Sequence, residues 1–289
     1  MKKRTPAQMR LLYGCFAALI LTFAALLVAA LGRGEKVRFG VSATPDCYGA
    51  AMLLQTPSAQ YTVSVGSGDA VLKEALESGA LDAAVLRYET FETMDAEKYE
   101  VRAVLSYCNL TVLSRDKGIK KITDLNDKKL VLAEDLRGSA EEAMLKKLLG
   151  KADVICSIGF GDSLGENDVL LVRPGDEYRA VSADKTLARC FVLSSVWKGL
   201  MDSARPAGAC LVVSKAYLGK AGSSYNGFMR TLKDGCLYGD EKRKKTVEMC
   251  VAGGLARSTE EADYLISTCS FSFLEGDDLA ASLQARREL

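Results

Sequence analysis

Short apolar runs alternate along the chain with stretches of helical spacing. Val37–Val41 (VRFGV) reads as a strand. Ala50–Leu54 (AAMLL) starts a helix. Tyr61–Val65 alternates apolar and polar residues, as a strand with one wet face does. Asp69–Leu76 (DAVLKEAL) has helical periodicity and closes near Gly79. Leu81–Leu86 predicts a short buried strand, and Val101–Ser106 with Leu110–Leu113 a further β stretch. Lys129–Leu132, Asp153–Ile158, Asp168–Val172 and Ala209–Val213 read as strands. Ser139–Leu149 reads as a helix opened by a capping box, Ser139 with Glu142, and followed by Gly150. Lys215–Leu289 is mainly helical, with a second capping box at Ser258 and Glu261. Strands separated by helices predict parallel βα units and an α/β fold.

One pattern occurs twice. Gly79-Ala80-Leu81-Asp82 leads into four apolar residues and Arg87; Gly165-Glu166-Asn167-Asp168 leads into four more and Arg173. Each copy ends a predicted strand on a polar residue. In open α/β sheets ligands bind beyond the carboxyl ends of strands. The repeat therefore suggests two similar lobes facing one cleft.

Ahead of this pattern lies a stretch of another kind. From Leu11 to Leu31 the chain has no charge, and at helical rise that run spans roughly 30 Å, a bilayer core. Lys2, Lys3, Arg4 and Arg10 precede it, which keeps the N-terminus on the cytoplasmic side and sends the remainder outward. Residues 1–34 are thus a signal peptide or a membrane anchor. The run is long for a signal peptide, whose apolar core is about 7–15 residues. Small residues at Val28-Ala29-Ala30 and Ala30-Leu31-Gly32 nevertheless offer cleavage sites.

Composition narrows the chemistry. The 289 residues carry a formal net charge of +1 and 48% hydrophobic residues, which excludes a disordered chain and gives no basic field for nucleic acid. Five of the 38 Lys and Arg residues, and none of the 37 Asp and Glu, precede Glu35, so the remainder carries a net charge of −4. There is no histidine, which removes His-dependent triads and His-ligated metal sites. Eight of the nine cysteines, Cys47 to Cys269, follow the leader without a CxxC pair. Disulfides and buried free thiols both fit that distribution. No metal site and no cofactor are expected.

In order, VRFGV, YTVSVGSGDAVLKEALESGALDAAVL, RAVLSYCNLTVLSRDKGIKKITDLNDKKLVLAEDLRGSAEEAMLKKLL and PAGACLVVSKAYL make up the body of the chain. Over roughly residues 36–285 this resembles the extracytoplasmic solute-binding proteins of ABC importers, in the group serving nitrate, sulfonates, taurine and thiamine-pyrimidine precursors. The resemblance implies a two-lobed, type II periplasmic-binding-protein-like fold, each lobe a mixed sheet flanked by helices. Lobe one is expected over 36–110 and 210–289, and lobe two over 111–209. The crossings are expected near Tyr107–Val112 and Ala209–Val213. Trp197 is expected to pack in the second lobe.

The family builds its ligand site from strand-to-helix loops. By resemblance these carry Ser42 and Thr44, then Gly66, Ser67 and Gly68, then Arg87 and Tyr88, with Tyr107 and Asn109 near the first hinge. In lobe two they carry Arg137, Gly138, Ser139 and Arg173. Glycine at such a turn lets backbone approach a ligand, and a helix N-terminus favours an anion. Plain capping by Ser67 or Ser139, and an ordinary exposed Arg87, are the duller readings. Tyr88, Tyr107 and Tyr178 offer faces for a flat ligand. Relatives often carry a carboxylate where Arg173 precedes Pro174, and this departure points to an anionic or zwitterionic ligand held among Arg87, Arg137 and Arg173. The expected function is a non-catalytic receptor that delivers a small ligand to the membrane subunits of an ABC importer. A membrane-tethered sensor or scaffold, and a biosynthetic enzyme of the same fold, are the alternatives.

Overall fold

The structure is a computed structural model that describes residues 35–289 apart from 57, 162–163 and 268–270. The leader 1–34 and its apolar run lie outside the described residues. Among the described residues no helix is long and apolar enough to cross a membrane.

The strands are β1 (Val37–Ser42), β2 (Tyr61–Gly66), β3 (Ala83–Arg87), β4 (Tyr99–Val104), β5 (Thr111–Ser114), β6 (Lys129–Leu132), β7 (Ser157–Phe160), β8 (Val169–Val172), β9 (Ala188–Val192) and β10 (Ala209–Ser214). The α-helices are α1 (Ala51–Gln55), α2 (Asp69–Glu77), α3 (Tyr88–Glu92), α4 (Ala140–Lys151), α5 (Pro174–Ala183), α6 (Leu193–Leu200), α7 (Lys215–Leu218), α8 (Ser223–Glu241), α9 (Arg243–Ala252), α10 (Thr259–Ile266) and α11 (Gly276–Arg287).

Two five-stranded sheets result, ordered β2-β1-β3-β10-β4 and β7-β6-β8-β5-β9. They are the same sheet twice. In each, three parallel strands adjoin one antiparallel strand, which adjoins an edge strand. The antiparallel member is the strand that has just crossed over, β10 in one lobe and β5 in the other. The duplicated sequence pattern falls on β3 and β8, which hold the same place in the two sheets. Its aspartates do matching work. Asp82 accepts from the Arg38 backbone N–H at 2.8 Å and pairs with the Arg38 guanidinium at 2.6 Å, while Asp168 pairs with Lys129 at 3.1 Å. Each ties the start of one central strand to its neighbour.

Burial follows from position in the sheet. β1, covered on both faces, is buried at every position but Arg38, whereas the edge strand β2 has only Tyr61 buried. Phe228 of α8 meets Phe39 edge-on at 4.9 Å and lies 6.1 Å from Tyr61, centring the first core. The second core gathers Trp197, Leu130, Met144 and Leu145, and the Trp197 indole N–H donates to the Ala204 carbonyl at 2.9 Å. Trp197 thus sits where the sequence places it. Seven cysteines are free thiols among the described residues.

Two local expectations are corrected. α4 runs through Gly150 to Lys151, and the chain reverses at Asp153, which takes φ 53°. That reversal delays the next strand, which starts at Ser157 rather than Asp153. The segment from Pro174 to Leu200 forms α5, β9 and α6, which periodicity alone does not reveal. β9 is a half-exposed edge strand (ARCFV) with little contrast between its faces.

The lobes are joined at two adjacent crossings. Tyr107 bridges Ala207, the Cys108 N–H donates to the Pro206 carbonyl at 2.8 Å, and the Gly208 N–H donates to the Ser106 carbonyl at 2.9 Å. A Cβ on Gly208 would lie 2.5 Å from the Tyr107 carbonyl carbon, so only glycine lets the two crossings touch. The second crossing therefore sits just before β10, which lies wholly in the first sheet. α11 packs Leu279 and Leu283 under β4, and Leu289 beyond it reaches the second core.

Candidate functional site: an interlobe cleft

A cleft of about 520 Å³ separates the sheets. Its walls are the turns that follow β1, β2, β3 and β8, together with the first turns of α4 and α10. Tyr107, Cys108, Asn109 and Gly208, from the crossings, also line it. This is the location that strand polarity dictates, because parallel strands aim their carboxyl ends, and the helix N-termini that follow, at one edge.

Seven of the thirteen residues expected at the site line this cleft: Thr44, Ser67, Gly68, Arg87, Tyr107, Asn109 and Arg173. Gly68 takes φ 156° and ψ 179° at the head of α2, backbone that a Cβ would strain. Asn109 gives its side-chain carbonyl to the Ser194 N–H at 2.9 Å and so caps α6 from the cleft wall.

Six do not line it, each for a local reason. Ser42 is buried, with its hydroxyl 3.1 Å from that of Thr44 and 3.6 Å from the Cys47 sulfur. Gly66 ends the edge strand against Leu72. Tyr88 turns into the core beside Phe91, and its hydroxyl accepts from Arg287. Arg137 pairs with Glu134 at 2.7 Å and stacks on Phe160 at 4.1 Å. The Gly138 N–H donates to the Glu142 carboxylate at 2.6 Å, and the Ser139 hydroxyl accepts the Glu142 N–H at 3.2 Å. The capping box consumes both groups.

The cleft also holds residues that sequence reasoning missed. Asp46, Glu141, Asp176, Arg257, Glu261 and Arg286 all line it. Asp46 and Glu141 stood in the open, in the loop after the first strand and in the first turn of a capped helix. Arg286, near the C-terminus, reaches the cleft only through the tertiary fold.

Charge pairing dominates the interior. Arg87 pairs with Glu89 at 2.8 Å and with Asp69 at 3.3 Å. Arg173 pairs with Asp135 at 2.6 Å, Glu141 at 3.4 Å and Glu89 at 3.8 Å. Arg286 lies 3.6 Å from Glu89. Burial alone would lower the Arg173 pKa; Glu141, Glu89 and Asp135 outweigh it and hold the guanidinium protonated. The helix N-termini are served by the chain's own acids as well. Asp69 accepts from the Arg87 N–H at 2.8 Å and the Thr90 hydroxyl at 3.1 Å, and Glu261 accepts from the Arg257 N–H at 2.8 Å. In all, six carboxylates (Asp46, Asp69, Glu89, Glu141, Asp176, Glu261) face four arginines (Arg87, Arg173, Arg257, Arg286). Among the described residues no cluster of acids and thiols has the arrangement of a metal site.

Two carboxylates are the least engaged: among the described residues Asp46 makes no ion pair, and Glu141 makes only the 3.4 Å contact with Arg173. Asp46 receives the Ser106 hydroxyl at 2.5 Å. Burial pushes its pKa up, the Ser106 hydrogen bond pulls it down, and the nearby Asp69 and Glu141 add to the rise. Glu141 is 7% exposed, and its Oε2 is buried with no hydrogen-bond partner among the described residues.

Across the cleft the lobes touch a second time. Glu177 of α5, fully buried, accepts from Arg189 of β9 at 2.5 Å and from Thr111 at 2.9 Å, both in its own lobe. Tyr264 of α10 donates to the same carboxylate at 2.8 Å from the other lobe, and the Arg189 guanidinium lies 4.9 Å from the Tyr264 ring.

These features define the fold by comparison with solved structures. A crystal structure of an ABC transporter protein from Parabacteroides distasonis superposes with a TM-score of 0.69 at 14% identity, covering 88% of this chain and 92% of that one. The periplasmic aliphatic sulphonate binding protein SsuA of Escherichia coli gives 0.62 at 14%, covering 88% and 91%. The Candida albicans CA3427 product, described as having the generic periplasmic binding protein fold, gives 0.52 at 13%, covering 88% and 91%. The chain has the periplasmic binding protein fold. No protein-family model and no curated protein matches the sequence.

Proposed function

We propose that this chain is an extracytoplasmic solute receptor that traps a small polar ligand between its lobes and hands it to the membrane subunits of an ABC importer. One observation carries the reading: a cleft of about 520 Å³ bounded by two topologically identical lobes whose chain passes between them at paired, adjacent crossings. Its volume lies within the ~300–1,000 Å³ range of small-molecule sites. A two-lobed body on adjacent crossings is the geometry for hinge closure, in which ligand bridges both walls and stabilises the closed arrangement. The contact between Tyr264 and Glu177 lies on the closing side.

The solved structures that share the fold include a sulphonate-binding protein and an ABC transporter protein, which supports an importer as the partner and binding without turnover as the activity. The uncharged run Leu11–Leu31 behind a basic N-terminus supports export, with the leader either retained as an anchor or removed.

The test is thermal unfolding of the full chain against metabolites of all charge classes, with small-angle scattering on any hit. A ligand at 100 times its Kd should add about 2.7 kcal/mol, a shift of several degrees. Hits should also make the particle more compact. A flat response across the classes, or a hit that binds without compaction, would refute the receptor reading.

A further inference from the structure

Resting on the receptor reading, we infer that the ligand carries a positively charged nitrogen, and that Glu141, with Asp46, is the subsite that binds it. The expectation of an anionic or zwitterionic ligand drew on arginines at strand ends. Folded, those arginines are engaged. Arg87 and Arg173 both contact Glu89, and each has a further carboxylate of its own, Asp69 and Asp135. An anion entering there would displace a carboxylate that is already in place.

The unmet need in the cleft is of the opposite sign. Among the described residues Glu141 Oε2 is a buried acceptor with no donor, and its partner oxygen receives a long contact from Arg173 at 3.4 Å. An ionised carboxylate left in that condition is costly, and a charge-assisted N–H donor is what removes the cost. Asp46 faces the same space and, among the described residues, accepts one hydrogen bond, from Ser106. Two carboxylates repelling each other across a cleft also lose that repulsion when a cation enters. Burial is the main cause of the raised Asp46 pKa, and repulsion from Asp69 and Glu141 adds to it. Arg257, exposed at the edge of the cleft, makes no side-chain ion pair among the described residues, so a zwitterion with its nitrogen at Glu141 has a place for its acidic end.

The probes are matched sets in which an ammonium compound, a neutral alcohol and an anion share one skeleton: linear chains of two to six carbons and single rings, with amino acids and taurine as zwitterions. Binding to the full chain is measured by calorimetry, alongside Glu141→Gln and Asp46→Asn. The expected result is that ammonium members bind, that their neutral and anionic partners bind at least about tenfold more weakly, and that Glu141→Gln costs at least about tenfold. Asp46→Asn should weaken the same probes, and carries the test if Glu141→Gln fails to fold. An anionic member that binds the parent chain and binds Glu141→Gln as tightly or more tightly would overturn the nitrogen subsite and leave the receptor standing. Failure of every class to bind would overturn both.

Discussion

Removing the Tyr264 hydroxyl should loosen the lobes. Tyr264→Phe keeps the ring against Tyr178, 5.6 Å between centroids, and the stacked Arg189 guanidinium, and deletes one hydrogen bond of 2.8 Å to the fully buried Glu177. Hydrogen bonds to charged groups contribute about 1.5–3 kcal/mol, which corresponds to roughly a 10- to 150-fold shift between touching and separated lobes. Glu177 keeps Thr111 and Arg189, so its own lobe should not unravel and the effect should appear between lobes. Because the ligand needs both walls, its Kd should rise by up to the same factor. Small-angle scattering on the unliganded chain reads the opening directly, and calorimetry reads the Kd. A double-mutant cycle with Glu177→Gln isolates the pair. A Tyr264→Phe chain with unchanged radius of gyration and unchanged ligand affinity would refute the argument that this contact holds the lobes together.

Three further outcomes follow from the geometry. Asp46 has its pKa raised in the folded chain, by burial first, with Asp69 and Glu141 adding to it against Ser106 and Arg87, so folding favours its protonated form. Its stabilising contribution is present in acid and lost as pH rises above the ordinary carboxylate range; unliganded Asp46→Asn should therefore melt above the parent at neutral pH, the gap closing on acidification, as thermal scans against pH will show. Gly208→Ala, whose Cβ would meet Tyr107 backbone at 2.5 Å, should cost about 1–3 kcal/mol in denaturant unfolding. Burial pushes the Cys47 thiol up to about 11 and those of Cys236 and Cys250 up to about 12, and raises Cys108 and Cys210 as well. These five should resist iodoacetamide in the folded chain at pH 8 and react in denaturant, counted by mass spectrometry.

Much of this protein is legible along the chain. The central strands are continuous apolar runs, Ser139 and Ser258 cap the helices that follow them, and these signals are local, so they survive without tertiary context. The repeated Gly-x-x-Asp pattern also reads correctly, because it marks one structural place, strand three of each sheet, and its arginines line the cleft. Edge strand β9 and helix α5 escape because half-exposed segments carry weak periodicity. What only the tertiary structure decides is the pairing of charges. Whether Arg173 is free for a ligand depends on Asp135 and Glu141, more than thirty residues earlier, and on Glu89, from the other lobe. Arg137 has the same residue type and an equally inviting loop, yet it is spent on Glu134 and Phe160, outside the cleft. A charge is read from sequence residue by residue, but its availability depends on distances of a few ångströms between remote segments. For that reason the sequence reading expects an anionic or zwitterionic ligand, whereas the inference of a positively charged nitrogen rests on a Glu141 oxygen left unpartnered by the fold among the described residues.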